Sequence, residues 1–350
     1  MRGFFLGAML AAFVLPGCAS PGVRHAAVAN YSNPVIDADF PDPAVLKARD
    51  GYFYVYATQG GPEGAMRNIQ AARSRDLVTW HVLPDALPTK PAWASRTQDF
   101  WAPHVVEHDG RYIMYLSAKP DVALEDKKSG LCLAVATADR PEGPFRDMGR
   151  PLQCGREFVN IDPMAFDDPA TGKRLLYWGS GFQPIKVREL AEDRMSFASG
   201  SVAVDLVHPI RDDPAKYQRL VEGAWVVRRG GYYYLFYSGD NCCGKDAHYA
   251  VMAARSRSAT GPFETLAQAT GATNSVILER YGNWIAPGHN SIFRDRDGED
   301  WILYHAVDSR RPKARESDDV NTRRVMLIDR IVWKDGWPKV LTGGGRRPRP

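Results

Sequence analysis

Five times along this 350-residue chain the same succession recurs: a short extended segment, a turn rich in aspartate and glycine, then a strand crowded with aromatic residues. The opening segments are PAVLKA (43–48), PHVVEH (103–108), PMAFDD (163–168), AWVVRR (224–229) and NSIFRD (290–295). The aromatic ones are YFYVYAT (52–58), RYIMYLSA (111–118), RLLYWGS (174–180), YYYLFYSG (232–239) and WILYHAV (301–307). Asp-Gly and Gly-Gly in the intervening turns supply the positive φ that tight hairpins need. A third segment completes each unit: IQAARS (69–74), LCLAVAT (131–137), IKVREL (185–190), YAVMAARS (249–256) and RVMLIDRI (324–331). Edge pieces such as WHVL (80–83) and GPFE (261–264) follow. The spacing is roughly 60 residues, a period that marks stacked repeats. A lone meander cannot bury both of its faces, so such units must stack around an axis. The expected fold is all-β, a five-bladed β-propeller. A two-sheet sandwich would not call for five equivalent units.

In a propeller the first strand of each blade lies nearest the channel, so residues at the mouths of these strands face one another. Aligning the units by their hairpins puts Asp42 at this position in unit one, WAPH (101–104) in unit two and Asp162 in unit three. Glu222 takes it in unit four and His289 in unit five. Asp42 lies in DADFPDPAV (37–45) and Asp162 in NIDPMAF (160–166), both directly before a proline. Proline fixes its own φ and biases the preceding residue toward extended geometry, so both aspartates are expected to be extended and stiffly held. Asp-Pro also suits an ordinary turn. Three acids at equivalent axial positions nevertheless converge on one pocket, where like charges cost stability and split their pKa values. Carboxylates across a pocket lined by aromatics suit glycoside hydrolysis, with one acid protonating the leaving oxygen and another activating water. Trp101, Trp225 and Trp284 lie at or beside these mouths, where they either stack on sugar rings or simply pack.

The formal net charge of +4 is small, and the tail GGGRRPRP (343–350), expected to be disordered, carries part of it. No basic stripe interleaved with aromatics is present, which argues against nucleic acid as a partner. The chain opens MRGFFLGAMLAAFVLPGCAS. An arginine, an apolar run too short to span a membrane and then small residues read as a secretory signal. Leu15-Pro16-Gly17-Cys18 resembles the bacterial lipoprotein cleavage box, with Cys18 lipidated and a membrane contact through that lipid alone. Pro16 departs from the usual residue there, so plain secretion is the alternative. Cys132, Cys154, Cys242 and Cys243 remain for disulfides in an exported protein, with their pairing open. No second CxxC or histidine pair has zinc-ligand spacing.

The chain resembles family 43 of the glycoside hydrolases, five-bladed propeller enzymes acting on arabinan and xylan. The resemblance rests on NPVIDADFPDPAV, DGYFYVYAT, SRDLVTW, FWAPHVV, NIDPMAF, EGAWVVRRGGYYYLFYS, GPF and PGHNSIF, in a chain that matches from about Asn33 to Lys339. It implies an inverting enzyme with Asp42 as general base, Glu222 as general acid and Asp162 as the carboxylate that tunes the acid. Substrate contacts are implied for Trp101, Asn160, Trp225 and Arg324. Arg323 is the alternative to Arg324, because neighbours on a strand face opposite ways. His289, with Asn290, matches a channel position where a histidine helps hold a structural calcium ion or a water. A core histidine is the plain alternative there, since calcium prefers oxygen. No cofactor is required, and Asp39 is expected to be a turn residue.

By this reading the chain divides into a signal (1–18), a linker (19–32), a catalytic propeller (33–342) and the tail. The substrate is an oligo- or polysaccharide and the enzyme a monomer. There is no room for the extra β-sandwich of the family's xylosidases, which implies arabinanase or α-L-arabinofuranosidase action. A β-xylosidase or exo-galactosidase on the same fold, or a glycan-binding lipoprotein without activity, are the alternatives. The segment SGDNCCGKDAHYA (238–250) is expected to be a loop bordering the pocket.

Overall fold

The computed structural model describes residues 1, 3, 30–61, 65–126, 128–314 and 322–346. Five antiparallel meanders form a propeller. Blade one comprises Ala44–Lys47, Phe53–Ala57, Gln70–Ser74 and Trp80–Val82. Blade two is Phe100–His108, Arg111–Ala118 and Cys132–Ala138, edged by Arg146–Asp147 and Gln153–Cys154. Blade three follows with Met164–Asp167, Arg174–Trp178, Ile185–Glu189 and Val204–Val207. Blade four has Val221–Arg229, Tyr232–Asn241 and His248–Ser256, edged by Glu264–Thr265 and Val276–Leu278. Blade five is Trp284–Arg294, Asp300–Asp308, Arg324–Lys334 and Trp337–Leu341. The five first strands touch one another in a closed ring, which makes them the channel wall.

The aromatic second strands are largely apolar between their ends because both of their faces are buried there. In blade one, Tyr54 and Tyr56 enter a core shared with Met114 and Leu116 of blade two. Phe53, Val55 and Ala57 enter another, shared with Phe293, Trp301 and Leu303 of blade five. Alternate side chains of a strand point to opposite faces. One strand therefore glues its blade to both neighbours.

The ring closes through the segment before blade one, which lies along the third strand of blade five. The Val35 amide donates to the Met326 carbonyl (2.9 Å) and the Phe40 amide to that of Arg324 (2.7 Å). Asn33 imitates a strand partner: its Nδ2 donates to the Ile328 carbonyl and its Oδ1 accepts from the Ile328 amide, each at 3.0 Å. Asn30–Tyr31 also pairs with Gly345–Arg346. The expected boundaries are corrected at both ends, since part of the linker and part of the tail form one small sheet. The reason is Tyr31. Its buried ring meets Trp301 edge-on at 6.1 Å, and its hydroxyl donates to Asp329.

At each channel mouth one residue takes a positive φ: Asp42 (59°), Ala102 (45°), Asp162 (59°), Gly223 (60°) and His289 (47°). Two expectations are corrected here. Asp42 and Asp162 are not extended despite the prolines that follow them. In blade four the equivalent residue is Gly223, with Glu222 one step earlier, level with Trp101 of blade two. The amide at this position reaches back to the end of the preceding blade's second strand. Ala102 N donates to Thr58 Oγ1 (2.8 Å), Asp162 N to Ser117 Oγ (3.1 Å) and His289 N to Ser238 Oγ (2.8 Å). Asp42 N donates to His305 Nδ1 (3.1 Å), which carries the ring of bonds across the closure. Blade four differs, with Gly223 N donating to Asp162 Oδ2 (3.0 Å).

Tyr31→Ala should remove both the edge-on ring contact and the bond to Asp329 at the closure. The expected loss of unfolding free energy is about 3 kcal/mol, the scale of truncating a buried aromatic. Urea denaturation checks it, and an unchanged midpoint would place the closure elsewhere.

Candidate active site

A cavity of about 1200 Å³ opens over one mouth of the channel, and all five blades contribute to its wall. Asp42, Asp162, Glu222, Trp101, His289 and Arg324 all line it. The structure thus brings the three acids together, as the repeat alignment required. All three carboxylates are buried.

Asp42 is surrounded by donors and positive charge. Thr58 donates its hydroxyl to Oδ2, while Arg324 Nη1 stands 3.2 Å and His289 Nδ1 3.4 Å from Oδ1. Burial would raise this carboxyl, but the Arg324 guanidinium, with His289 beside it, more than offsets it and holds it well below the usual carboxylate range. His305 is pushed down to about 4 by burial, which keeps it neutral and able to accept the Asp42 amide.

Glu222 sits in the opposite electrostatic condition. Burial, joined by the negative charge of Asp42, drives its carboxyl up to about 7. Two hydroxyls limit the rise, Tyr249 donating to Oε1 (2.7 Å) and Ser180 to Oε2 (2.9 Å). Gly288 admits the tyrosine, because a Cβ there would fall 2.1 Å from Cδ1 of Tyr249. Asp162 is also pushed well up, by burial and then by the charges of Glu222 and Asp42. Its Oδ2 accepts the amide of Gly223, the residue next to Glu222. Asp162 is therefore coupled to Glu222 both through charge and through backbone.

Other expected contacts fall differently. Arg324 lines the cavity, whereas Arg323 pairs with Asp37. Trp225 is corrected: it is buried in the core, its ring edge-on to His104 at 5.1 Å, and does not line the cavity. Asn160 is corrected as well, being buried beside the cavity with Oδ1 accepting from Gln153 (3.2 Å). Trp284 packs half-buried against the core. Asp39 is more than a turn residue, since it lines the cavity and its Oδ1 accepts the Arg324 amide (2.9 Å).

Asp240, Asn241, Cys242 and Cys243 border the cavity, but the expected loop 238–250 is corrected: its ends belong to the strands Tyr232–Asn241 and His248–Ser256, and only 242–247 connects them. The cysteines pair as Cys132–Cys154 and Cys242–Cys243. The donors near His289 do not make a calcium cage: it offers one imidazole, and Asp42 and Asp162 are committed to Arg324, Thr58 and Gly223. Among the described residues no cluster of three or more acids, histidines or cysteines is arranged to hold a metal. Sequence reasoning missed Thr58, Ser180, Tyr249 and His305. A signal existed for two of them, since four of the five aromatic strands end in a hydroxyl (Thr58, Ser117, Ser180, Ser238).

Two buried acids whose pKa values are pushed apart, both lining a cavity of about 1200 Å³, suit glycoside hydrolysis. The comparisons agree. The chain belongs to family 43 of the glycosyl hydrolases, whose model matches residues 31–338. It is 27% identical over 321 residues, 86% of each chain, to the extracellular exo-α-(1→5)-L-arabinofuranosidase ArbA of Cellvibrio japonicus. It is 29% identical, across 87% of this chain and 82% of the relative, to the β-D-galactofuranosidase xynD of Aspergillus niger. The crystal structure of a thermostable family-43 glycoside hydrolase superposes with a TM-score of 0.69 at 26% identity, covering 91% of this chain and 98% of that one.

The Tyr249 hydroxyl favours the ionised form of Glu222, so Tyr249→Phe should raise that carboxyl above its value of about 7. Carboxyl-carbon NMR across a pH titration reads this directly. A midpoint that stayed in place or fell would show that the hydroxyl does not support the carboxylate.

Proposed function

We propose that the protein is an inverting α-L-arabinofuranosidase or arabinanase that cleaves arabinose-containing plant cell-wall polysaccharides. The observation that carries the mechanism is the split between two buried acids of one cavity. Asp42 is held ionised, and Glu222 keeps a proton up to about pH 7. Asp42 takes a proton from water, whose oxygen attacks the anomeric carbon. Glu222 gives its proton to the glycosidic oxygen as that bond breaks. Attack from the face opposite the leaving group inverts the anomeric centre. Asp162 accepts the Gly223 amide and so orients Glu222, and ionisation of either buried carboxyl strengthens the other's hold on its proton. Arg324 orients Asp42, and Trp101 offers its ring to the sugar.

Arabinofuranose is supported by the kinship with an arabinofuranosidase. The second reading, β-D-galactofuranose, rests on the galactofuranosidase relative and on chemistry. Its ring carries the same configuration as α-L-arabinofuranose, with one further exocyclic carbon. Sugar release from debranched arabinan and from aryl glycosides of arabinofuranose, galactofuranose and xylose decides among them.

The two acid roles separate by leaving group. Glu222→Gln should lose nearly all activity on arabino-oligosaccharides yet retain far more on an aryl glycoside with an acidic phenol. Asp42→Asn should depress both together, each effect being about 10²- to 10⁴-fold. Equal losses on both substrates for both variants would overturn the assignment.

We also propose that the enzyme is exported and anchored by lipid at Cys18, a residue outside those described. The relative named extracellular supports export. The Leu15-Pro16-Gly17-Cys18 box supports the anchor. Cys18→Ser should move the protein from the membrane pellet to the soluble fraction, and a variant still in the pellet sinks the proposal.

A further inference from the structure

The cavity has one wall that the acids do not explain. Phe182 is an aromatic side chain at the rim with 59% of its surface exposed, in a backbone conformation (φ 60°) that bulky residues rarely adopt. Its ring meets Phe158 edge-on at 6.0 Å, and Ile161 continues the same wall. All three line the cavity. The pair is built rather than incidental. Gly181 lets the two loops close on each other, since a Cβ there would come within 2.7 Å of Val159 Cγ1 and 3.1 Å of the Val159 amide nitrogen.

Packing does not account for Phe182, because most of its surface stays exposed at the cavity rim. Its place in the chain does. Phe182 stands two residues after Ser180, whose hydroxyl is bonded to Glu222 Oε2. Asp42 keeps different company, Arg324 Nη1 being 3.2 Å from its carboxylate and 3.9 Å from Cys242 Sγ. A proton donor must face the oxygen that departs, so the leaving group lies on the Glu222 side and the water on the Asp42 side.

We infer that Phe158 and Phe182 form the ledge on which the leaving-group sugar rests, and so determine which aglycones the enzyme accepts. The inference rests on Glu222 being the general acid. A furanose or pyranose presents a face of C–H groups, and an exposed aromatic ring is the surface such a face covers best. The ledge therefore favours a glycan continuing beyond the cleaved bond over a small leaving group.

The test compares two substrates that share the arabinosyl unit and differ only in what departs. With α-1,5-linked arabinotriose the leaving group is a sugar, and with α-L-arabinofuranosyl fluoride it is a single atom. Phe182→Ala should lower kcat/KM on the trisaccharide roughly tenfold, mostly through KM, the scale of losing an aromatic contact. Hydrolysis of the fluoride should stay within about twofold of the parent enzyme. Phe182→Tyr, which keeps the ring, should restore the trisaccharide rate. Equal losses on both substrates would assign the ledge to the other side of the bond or to the fold, and no loss on either would leave it without a contact; both outcomes overturn the inference. The parent enzyme's own cleavage of the two substrates tests the substrate reading separately, so a flat response from the variants counts against the ledge alone.

Discussion

Amide hydrogen bonds passing from blade to blade around the channel mouth fix the geometry on which everything else depends. At or near the mouth of each inner strand stands a residue at positive φ, and four of the five are not glycine. Such residues cost of order 1 kcal/mol apiece in backbone strain. The neighbouring blade holds them there by accepting their amides on a hydroxyl or, at the closure, on His305. Bending the backbone at this point directs the side chains of Asp42, Asp162 and His289 at the axis. Without the bend they would follow the strand, and the acids would not meet.

Blade four breaks the pattern, and the acid is found where it breaks. Glycine takes the strained position, so the side chain aimed at the cavity comes from the residue before it. The strand-end hydroxyl of blade three, Ser180, is released from its structural duty and bonds the Glu222 carboxylate instead. The Gly223 amide, left without that hydroxyl, bonds Asp162. One local departure in backbone thus yields an acid with its own pair of donors and a neighbour to hold its charge state.

The electrostatics follow from burial distributed unevenly. Three carboxylates withdrawn from water would all tend to take up protons. Only Asp42 is given a guanidinium, and it alone is driven well below the usual range. Glu222 receives neutral hydroxyls, which restrain the rise without reversing it. The protein therefore holds an ionised and a protonated carboxyl side by side at neutral pH, which acid–base chemistry in a single step requires.

Much of this was legible in the chain itself. Hairpin signals, apolar aromatic strands and a repeat of roughly 60 residues determine five blades, because such units can bury both faces only by stacking in a ring. Aligning those units already places Asp42, Asp162 and Glu222 at one mouth. Sequence could not say that Asp42 would leave the extended region, since proline's local bias is outweighed by an amide bond from another blade. Nor could it place Trp225, whose burial against His104 is decided by contacts between blades. The clasp straddles the expected boundary, Tyr31 in the linker and Asn33 at the first position of the propeller, and only blade five, 295 residues on from Asn33 at Ile328, turns it into structure. Periodicity is a property of neighbouring residues and can be read along the chain. Register, facing and charge balance are settled between blades, by atoms that become neighbours only once the ring has closed.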